Sequence, residues 1–295
     1  MSRRHSPTAD RSRRAVLAVV GATALAAAAV PAVAFGASGE TRKTTSAATA
    51  ASHSTHSTPK PTVLLVHGAW ADSSSWSPVV DRLQAQGYPV QAVANPLRGL
   101  ASDAAYVRSR IESVQGPVVL VGHSYGGAVI SKAAADEPQV KALVYVAAFA
   151  PAEGESLGAL AARNPGSHAT PDALNPVPFD LGDGANGVDL YIKPDKYRDV
   201  FAGSLSASRA NSLAAVQRPI SAATLEETAT SAAWKDIPSW YLVTRQDHAL
   251  PPATQRFMAE RAHAHTTEVD APHAVMLTRP DTVAGLIRHA ATATR

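Results

Sequence analysis

The feature that most constrains this chain is a G-x-S-x-G sequence, Gly122-His-Ser-Tyr-Gly126, which lies between two apolar segments. Residues 118–121 before it are valine or leucine and predict a buried strand, whereas residues 128–135 after it predict a helix. The two glycines allow the strand and the helix to approach closely, because a Cβ at either position would collide with them. Ser124 is therefore predicted at a sharp strand-to-helix turn, with its hydroxyl presented as a nucleophile.

Strand-like and helical segments alternate on both sides of this turn. Short apolar runs predict further strands at residues 62–67, 89–94, 140–146, 240–244 and 266–269. Apolar residues at helical spacing predict helices at residues 75–86, 102–114, 254–262 and 281–291, with Ser102 as an N-cap. Because several strands are apolar on both faces, the expected fold class is α/β, with a mostly parallel sheet flanked by helices.

The alternation stops at Pro151 and resumes at residue 240. Residues 152–235 contain many Gly, Pro, Asn and Asp residues, with short helical pieces at residues 195–201 and 206–216. This composition predicts an inserted helical cap rather than a continuation of the sheet. Residues 61–295 are therefore expected to form one domain with a cap insertion.

A serine hydroxyl is a weak nucleophile at neutral pH and needs a base. His273 lies in a short loop between the last strand and the last helix, and the chain order Ser…Asp…His brings that loop over the serine. Asp247 follows a strand at the carboxyl edge of the sheet and is the preferred partner of the base. Asp270, which is nearer in sequence, and Glu153 remain as alternatives.

The oxyanion of an acyl-transfer reaction needs preorganised backbone donors. The N–H group of Tyr125 is one candidate, and the turn His67-Gly-Ala-Trp70 after the first strand supplies the other, with Ala69 preferred over Trp70. Several large side chains are predicted to form the pocket walls: Trp70, Phe149, Tyr191, Phe201, Trp234 and Met276.

Most other histidines of the folded part occupy less specific positions. His123 is expected to pack inside the structure, and His67 is expected to hold the oxyanion turn by hydrogen bonds. Surface positions are expected for His248, His263, His265 and His289.

The composition excludes several classes of function. The chain has no cysteine, which excludes disulfides, a thiol nucleophile and cysteine-ligated metals. Residues 1–60 hold 8 of the 27 Lys and Arg residues and 2 of the 24 Asp and Glu residues, so the rest has a net charge of −3. This charge gives no indication of nucleic-acid binding. No ligand cluster is evident, so no metal or organic cofactor is expected; the expected partner is a small molecule, and the oligomeric state is not predicted.

The first sixty residues have the layout of an export segment. Residues 1–36 predict a signal peptide, because an arginine-rich start precedes an uncharged alanine-rich run. The pair Arg13-Arg14 resembles a twin-arginine export motif, although an uncleaved membrane anchor is an alternative. Residues 37–60 predict a disordered linker, whose His53 and His56 are not expected to bind a metal. A secreted or cell-envelope location is therefore expected, with membrane contact only during export.

From about residue 62 to residue 291, the chain resembles esterases of the α/β-hydrolase fold, in the subgroup of plant hydroxynitrile lyases, plant methyl esterases and bacterial carboxylesterases. The matching sequences are His67-Gly-Ala-Trp70, Gly122-His-Ser-Tyr-Gly-Gly127, Gln246-Asp247 and Pro272-His273. The resemblance implies this fold, a Ser-His-Asp triad and a helical cap over the pocket. It does not specify the substrate.

Three functions are compatible with this resemblance: ester hydrolysis through an acyl-enzyme, cyanohydrin cleavage of the hydroxynitrile-lyase type, and ligand binding without catalysis. The resemblance implies that a lyase would carry a lysine directly after the catalytic histidine and a threonine in the oxyanion turn. This chain has Ala274 and Gly68 at those positions. The expected function is therefore hydrolysis of a small carboxylic ester by Ser124, His273 and Asp247.

Overall fold

A computed structural model describes residues 59–182 and 184–294 of the chain. The signal peptide predicted at residues 1–36, and all but the last two residues of the predicted linker, lie outside the described residues. Among the helices of the described part, none has both the length and the apolar character needed to cross a bilayer.

A parallel sheet forms the centre of the described part. The strands are β1 (Thr62–Val66), β2 (Val90–Val93), β3 (Val118–His123), β4 (Val140–Val146), β5 (Leu174–Gly182), β6 (Ala185–Ile192), β7 (Ile220–Ser221), β8 (Ser239–Thr244) and β9 (His265–Val269). Six of them pair in the order β2-β1-β3-β4-β8-β9, and every neighbouring pair is parallel. The predicted parallel sheet is therefore confirmed, and the carboxyl ends of its strands meet at one edge.

Helices cover both faces of this sheet. The α-helices of the described part are α1 (Ser77–Gln84), α2 (Leu100–Glu112), α3 (Tyr125–Ala133), α4 (Leu157–Ala161), α5 (Pro194–Val200), α6 (Ala207–Val216), α7 (Ala223–Glu226), α8 (Pro252–Arg261), α9 (Val275–Thr278) and α10 (Pro280–Ala293), of which α4 to α7 lie between β4 and β8 along the chain. Along β1, Leu64 and Val66 pack in a core with α2, α3 and α8, whereas Val63 and Leu65 pack in a second core with α1 and α10. The strands are apolar on both faces for this reason.

The N-terminus of α2 differs from the prediction. The helix begins at Leu100, two residues before Ser102, which was predicted as the N-cap. The Glu227 carboxylate accepts hydrogen bonds from the N–H groups of Leu100 at 2.6 Å and Ala101 at 2.8 Å. A distant carboxylate therefore satisfies the free N–H groups that a local serine was expected to satisfy.

The chain between β4 and β8 forms the cap, and the cap contains more than helices. It holds α4 to α7 together with an antiparallel sheet in the order β5-β6-β7. The sequence predicted α5 and α6 and missed this sheet, because β5 and β6 contain Pro, Asn, Gly and Asp, which are depleted in strands. The predicted cap insertion therefore contains helices, as expected, together with a sheet that was not predicted.

Candidate active site

Ser124 occupies a strained turn between β3 and α3. Its backbone has φ +52° and ψ −124°, which a residue with a side chain rarely adopts. The conformation is held by hydrogen bonds: the Ser124 carbonyl accepts from the N–H groups of Gly127 and Phe149, both at 3.0 Å. The serine therefore lies where the central strand ends and the helix begins, as its flanking sequence predicted.

Glycines allow the elements around Ser124 to approach closely. A Cβ on Gly122 would lie 2.5 Å from the carbonyl oxygen of Gly126, and a Cβ on Gly126 would overlap the carbonyl oxygen of Val66 in β1. A Cβ on Gly68 would lie only 2.6 Å from the Cβ of Ser124. The turn after β1 is thus pressed directly against the serine.

Asp247 lies in the loop after β8 and is buried together with His273. The Nδ1 atom of His273 is 2.7 Å from Oδ2 of Asp247. The same oxygen accepts from Thr244 Oγ1 at 2.9 Å and from Gln255 Nε2 at 2.8 Å, while Oδ1 accepts two backbone N–H groups of its own loop, both at 2.8 Å. The orientation of the carboxylate is therefore fixed before any substrate binds. Gln255, a buried amide on α8, could not be identified from any sequence motif.

The other ring nitrogen of His273 is unengaged. Within residues 59–182 and 184–294, Nε2 of His273 is buried and has no hydrogen-bond partner. The backbone of His273 is held by His123, whose Nε2–H donates to the His273 carbonyl at 2.9 Å. Burial, followed by the nearby His273, holds the pKa of His123 well below its usual value, so His123 is neutral. His123 therefore positions the His273 loop as well as packing in the core.

The alternative carboxylates are engaged elsewhere on the surface. Asp270 pairs with Arg245 at 2.7 Å, and the hydrogen bond from Arg245 is the main cause that lowers the pKa of Asp270. Glu153 pairs with Lys235 at 2.8 Å. In the described structure, neither carboxylate forms a hydrogen bond with His273.

The turn after β1 is held by a buried histidine. His67 Nδ1–H donates to the Gly68 carbonyl at 2.9 Å, and His67 Nε2 accepts the N–H of Asn95 at 3.1 Å. Burial lowers the pKa of His67 to about 4, which keeps the ring neutral and able to accept this hydrogen bond. His67 thus holds the turn in the way that the sequence predicted.

Two backbone N–H groups beside Ser124 are unused. The N–H groups of Ala69 and Tyr125 donate to no backbone carbonyl of the described residues. The N–H of Trp70, the second choice from the sequence, already donates to the Arg218 carbonyl at 2.9 Å. Ala69 and Tyr125 are therefore the donors available to an oxyanion.

Ser124, His273, Ala69 and Tyr125 all line one cavity of about 100 Å³. The cap closes it with small or aliphatic side chains and one hydroxyl: Leu157, Ala161, Ser167, Ala169, Leu174, Ile220 and Leu225. These residues could not be assigned to the pocket from sequence, because no motif distinguishes them from the other small, aliphatic or hydroxyl residues of the cap.

The predicted wall residues divide into two groups. Trp70 and Phe149 line the cavity, whereas Trp234 and Met276 do not. Trp234 Nε1–H donates to the Pro151 carbonyl at 2.9 Å, and Met276 is buried in the core with α1 and α10. Their assignment to the pocket was wrong, because size and hydrophobicity do not show which core a side chain enters.

Two further aromatic residues were also named from sequence. Phe201 packs edge-on against His273 at 5.3 Å between ring centroids, and Tyr191 lies on β6 of the cap. Neither residue lines the cavity that contains Ser124.

Two features define a hydrolase of the α/β fold. One is a parallel sheet with a serine in a strained turn after a central strand, and the other is a buried His–Asp pair at the same edge of that sheet. The alpha/beta hydrolase family model matches residues 63–286, and the chain belongs to this family.

Three similar proteins illustrate this membership. The alpha/beta hydrolase nvfD of Aspergillus novofumigatus is 31% identical over 255 residues, which cover 79% of this chain and 97% of the relative. The pyrethroid hydrolase of Sphingobium wenxiniae is 26% identical over 243 residues, 76% of this chain and 85% of the relative. The crystal structure of polyneuridine aldehyde esterase superposes with a TM-score of 0.68 at 18% identity, covering 78% of this chain and 98% of that one. The resemblance to α/β-hydrolase esterases, which the sequence motifs predicted, is confirmed.

Proposed function

We propose that this chain hydrolyses small carboxylic esters through an acyl-enzyme on Ser124. The observation that carries the proposal is that Ser124 and His273 line one cavity while His273 Nδ1 lies 2.7 Å from the buried Asp247. The similarity to proteins named pyrethroid hydrolase and polyneuridine aldehyde esterase supports the same class of reaction.

In the proposed reaction, the polar groups of the site divide the work between proton transfer and charge stabilisation. Ser124 Oγ attacks the ester carbonyl while His273 Nε2 takes its proton, and Asp247 stabilises the imidazolium that forms. The N–H groups of Ala69 and Tyr125 stabilise the oxyanion. His273 then protonates the leaving alkoxide, deprotonates the water that attacks the acyl-enzyme, and returns that proton to Ser124 Oγ as the carboxylic acid departs.

The cavity indicates the kind of ester. It measures about 100 Å³, and aliphatic cap residues such as Leu157, Leu174 and Ile220 form much of its wall. Apolar walls with few polar groups bind apolar ligand parts well. The favoured substrate is therefore an ester whose group within the cavity is short and uncharged.

Two positions disfavour the lyase reaction. Ala274 is completely buried and its N–H donates to the Phe201 carbonyl at 3.0 Å, so a lysine there would bring an ammonium group into the core. At Gly68, any side chain begins with a Cβ 2.6 Å from that of Ser124. The family features that accompany the lyase reaction thus have no room in this structure.

A panel of nitrophenyl esters of graded acyl length tests the proposal, with and without a serine-directed phosphonate. We expect kcat/KM to be highest for short acyl groups, and mass spectrometry to find the phosphonyl adduct on Ser124. Ser167 lines the same cavity and donates its hydroxyl to the Ala249 carbonyl at 2.9 Å, so Ser167→Ala is the matched control. The adduct should persist in Ser167→Ala and disappear in Ser124→Ala. Ester binding without turnover in the native chain would instead indicate a binding protein.

A further inference from the structure

Three side chains far apart in sequence converge on the surface beside the cap. His168 lies between α4 and β5, Asp199 lies in α5, and His248 lies in the loop after β8. Their ligand atoms all lie within 4.8 Å of one another, and among the described residues this is the only group of three or more such side chains. The sequence suggested no metal site because these residues form no motif.

The geometry of the cluster is that of a carboxylate between two imidazoles. His168 Nδ1 is 2.7 Å from Asp199 Oδ2, His248 Nδ1 is 3.2 Å from Asp199 Oδ1, and the two imidazole centroids are 4.1 Å apart. Both Nδ1 atoms therefore point toward the same carboxylate. Two imidazole nitrogens and one carboxylate oxygen are ligands that Zn²⁺ prefers, at about 2.0–2.2 Å, and a water completes a tetrahedral shell.

The cluster is accessible to a dissolved ion. The side chains of His168, Asp199 and His248 are 45%, 55% and 43% exposed, and an open cleft of about 600 Å³ borders Asp199 and His248. Because these side chains are exposed, they can rotate and bring their ligand atoms to the distance at which metal bonds form. Exposed ion pairs contribute little to stability, so the fold does not depend on this cluster in its metal-free form.

The cluster connects the cap with the loop that carries Asp247. His168 N–H donates to the His248 carbonyl at 2.6 Å, so cap and loop already touch through their backbones. His248 directly follows Asp247, whose Oδ1 accepts the N–H of Ala249 at 2.8 Å. An ion at the cluster would therefore join two parts of the cap to the loop of the candidate acid.

We propose that His168, Asp199 and His248 form a binding site for a divalent transition-metal ion of the Zn²⁺ type, which fastens the cap to the loop after β8. The site lies outside the cavity that contains Ser124. Metal binding therefore does not depend on the function proposed for that cavity.

The test uses the full chain without a histidine tag, treated with a chelator and titrated with Zn²⁺ by calorimetry and thermal unfolding. We expect one ion per chain and a rise in Tm of about 5 °C or more at a Zn²⁺ concentration one hundred times Kd. His168→Ala, Asp199→Asn and His248→Ala should each weaken binding by at least about tenfold, since even outer-shell changes cost that much. Mg²⁺ should give no shift, because it prefers oxygen ligands.

Two controls separate this site from other histidines. His289→Ala removes an exposed histidine outside the cluster, and His53→Ala/His56→Ala removes two in the N-terminal segment. Both variants should keep the Zn²⁺ affinity and the rise in Tm. Three outcomes would overturn the proposal. They are Zn²⁺ binding that survives in all three cluster variants, loss of binding in either control, and no binding to the native chain.

Discussion

The Nδ1 atom of His273 lies 2.7 Å from Oδ2 of Asp247, and the two side chains are 1% and 0% exposed. An ionised carboxylate only accepts hydrogen bonds, so this contact places the proton of the neutral imidazole on Nδ1 and leaves Nε2 as an acceptor. Thr244 and Gln255 donate to the same carboxylate, which prevents it from turning away. The pair therefore forms a rigid unit, and its histidine lines the cavity that contains Ser124.

Replacing Asp247 by asparagine should abolish most activity while the fold persists. The amide favours the wrong imidazole tautomer, and turnover should fall by about 10⁴-fold, the loss known for this change in a Ser-His-Asp triad. Asp270→Asn should cost less than about tenfold, because Asp270 is exposed and paired with Arg245. Steady-state kinetics and circular dichroism of both variants check this. A severe loss in Asp270→Asn with a mild one in Asp247→Asn would reverse the assignment.

The strain at Ser124 can be measured by comparing two inactive variants. Ser124→Gly relieves the φ of +52°, whereas Ser124→Ala keeps the Cβ that makes this conformation costly. Glycine also gains more entropy in the unfolded chain, so the net difference should be about 1 kcal/mol in favour of Ser124→Gly. Urea unfolding of the two variants gives the comparison. If Ser124→Ala is instead the more stable variant by about 0.5–1 kcal/mol, which is the entropic difference alone, the turn is not strained.

The contact between Gly68 and Ser124 predicts a specific loss of turnover. In Gly68→Ala, the new Cβ would begin 2.6 Å from the Cβ of Ser124, so the turn that carries the Ala69 N–H must move away. Losing one oxyanion donor lowers kcat by about 10²-fold or more. Gly285→Ala in α10 is the control, since the nearest atom to its Cβ is 3.9 Å away. If kcat of Gly68→Ala stays within a few-fold of native, the turn does not supply the donor.

The sequence predicted the sheet and the candidate site because both leave short, local signals. Runs such as residues 140–146 must be apolar on both faces, and the serine turn requires glycines that a strand and a helix approach. His273 and Asp247 follow strands whose ends meet at one sheet edge. Local chemistry of this kind can be recognised without knowing the rest of the fold.

The cap could not be predicted in the same way. The hairpin of β5 and β6 is held by antiparallel pairing, with Leu174 opposite Ile192, and its composition resembles a loop. The pocket walls could not be predicted for the same reason. Trp234 and Met276 were expected there because they are large and apolar, but residues buried elsewhere in the core share these properties. The cap is thus determined by long-range packing, which a single sequence does not display.

Export remains a proposal from the sequence and can be tested directly. If Arg13-Arg14 belongs to a twin-arginine signal, changing both to lysine should stop export of the folded protein. Immunoblots of cell and medium fractions measure this, with Arg3→Lys/Arg4→Lys as the control pair. Undiminished extracellular protein after the Arg13/Arg14 change would indicate the general secretory route.

Stability should fall as the pH drops from 6.5 to 4, because His67 is buried and neutral. Burial lowers its pKa from 6.5 to about 4, so within this range the unfolded chain binds a proton that the folded chain does not. From pH 7 to pH 5 this one group should cost about 2 kcal/mol. His67→Gln loses the titrating ring and should therefore be less stable at pH 7 but show a shallower decline. Urea unfolding of both proteins at the two pH values measures this. The same decline in His67→Gln as in the native chain would exclude His67 as its cause.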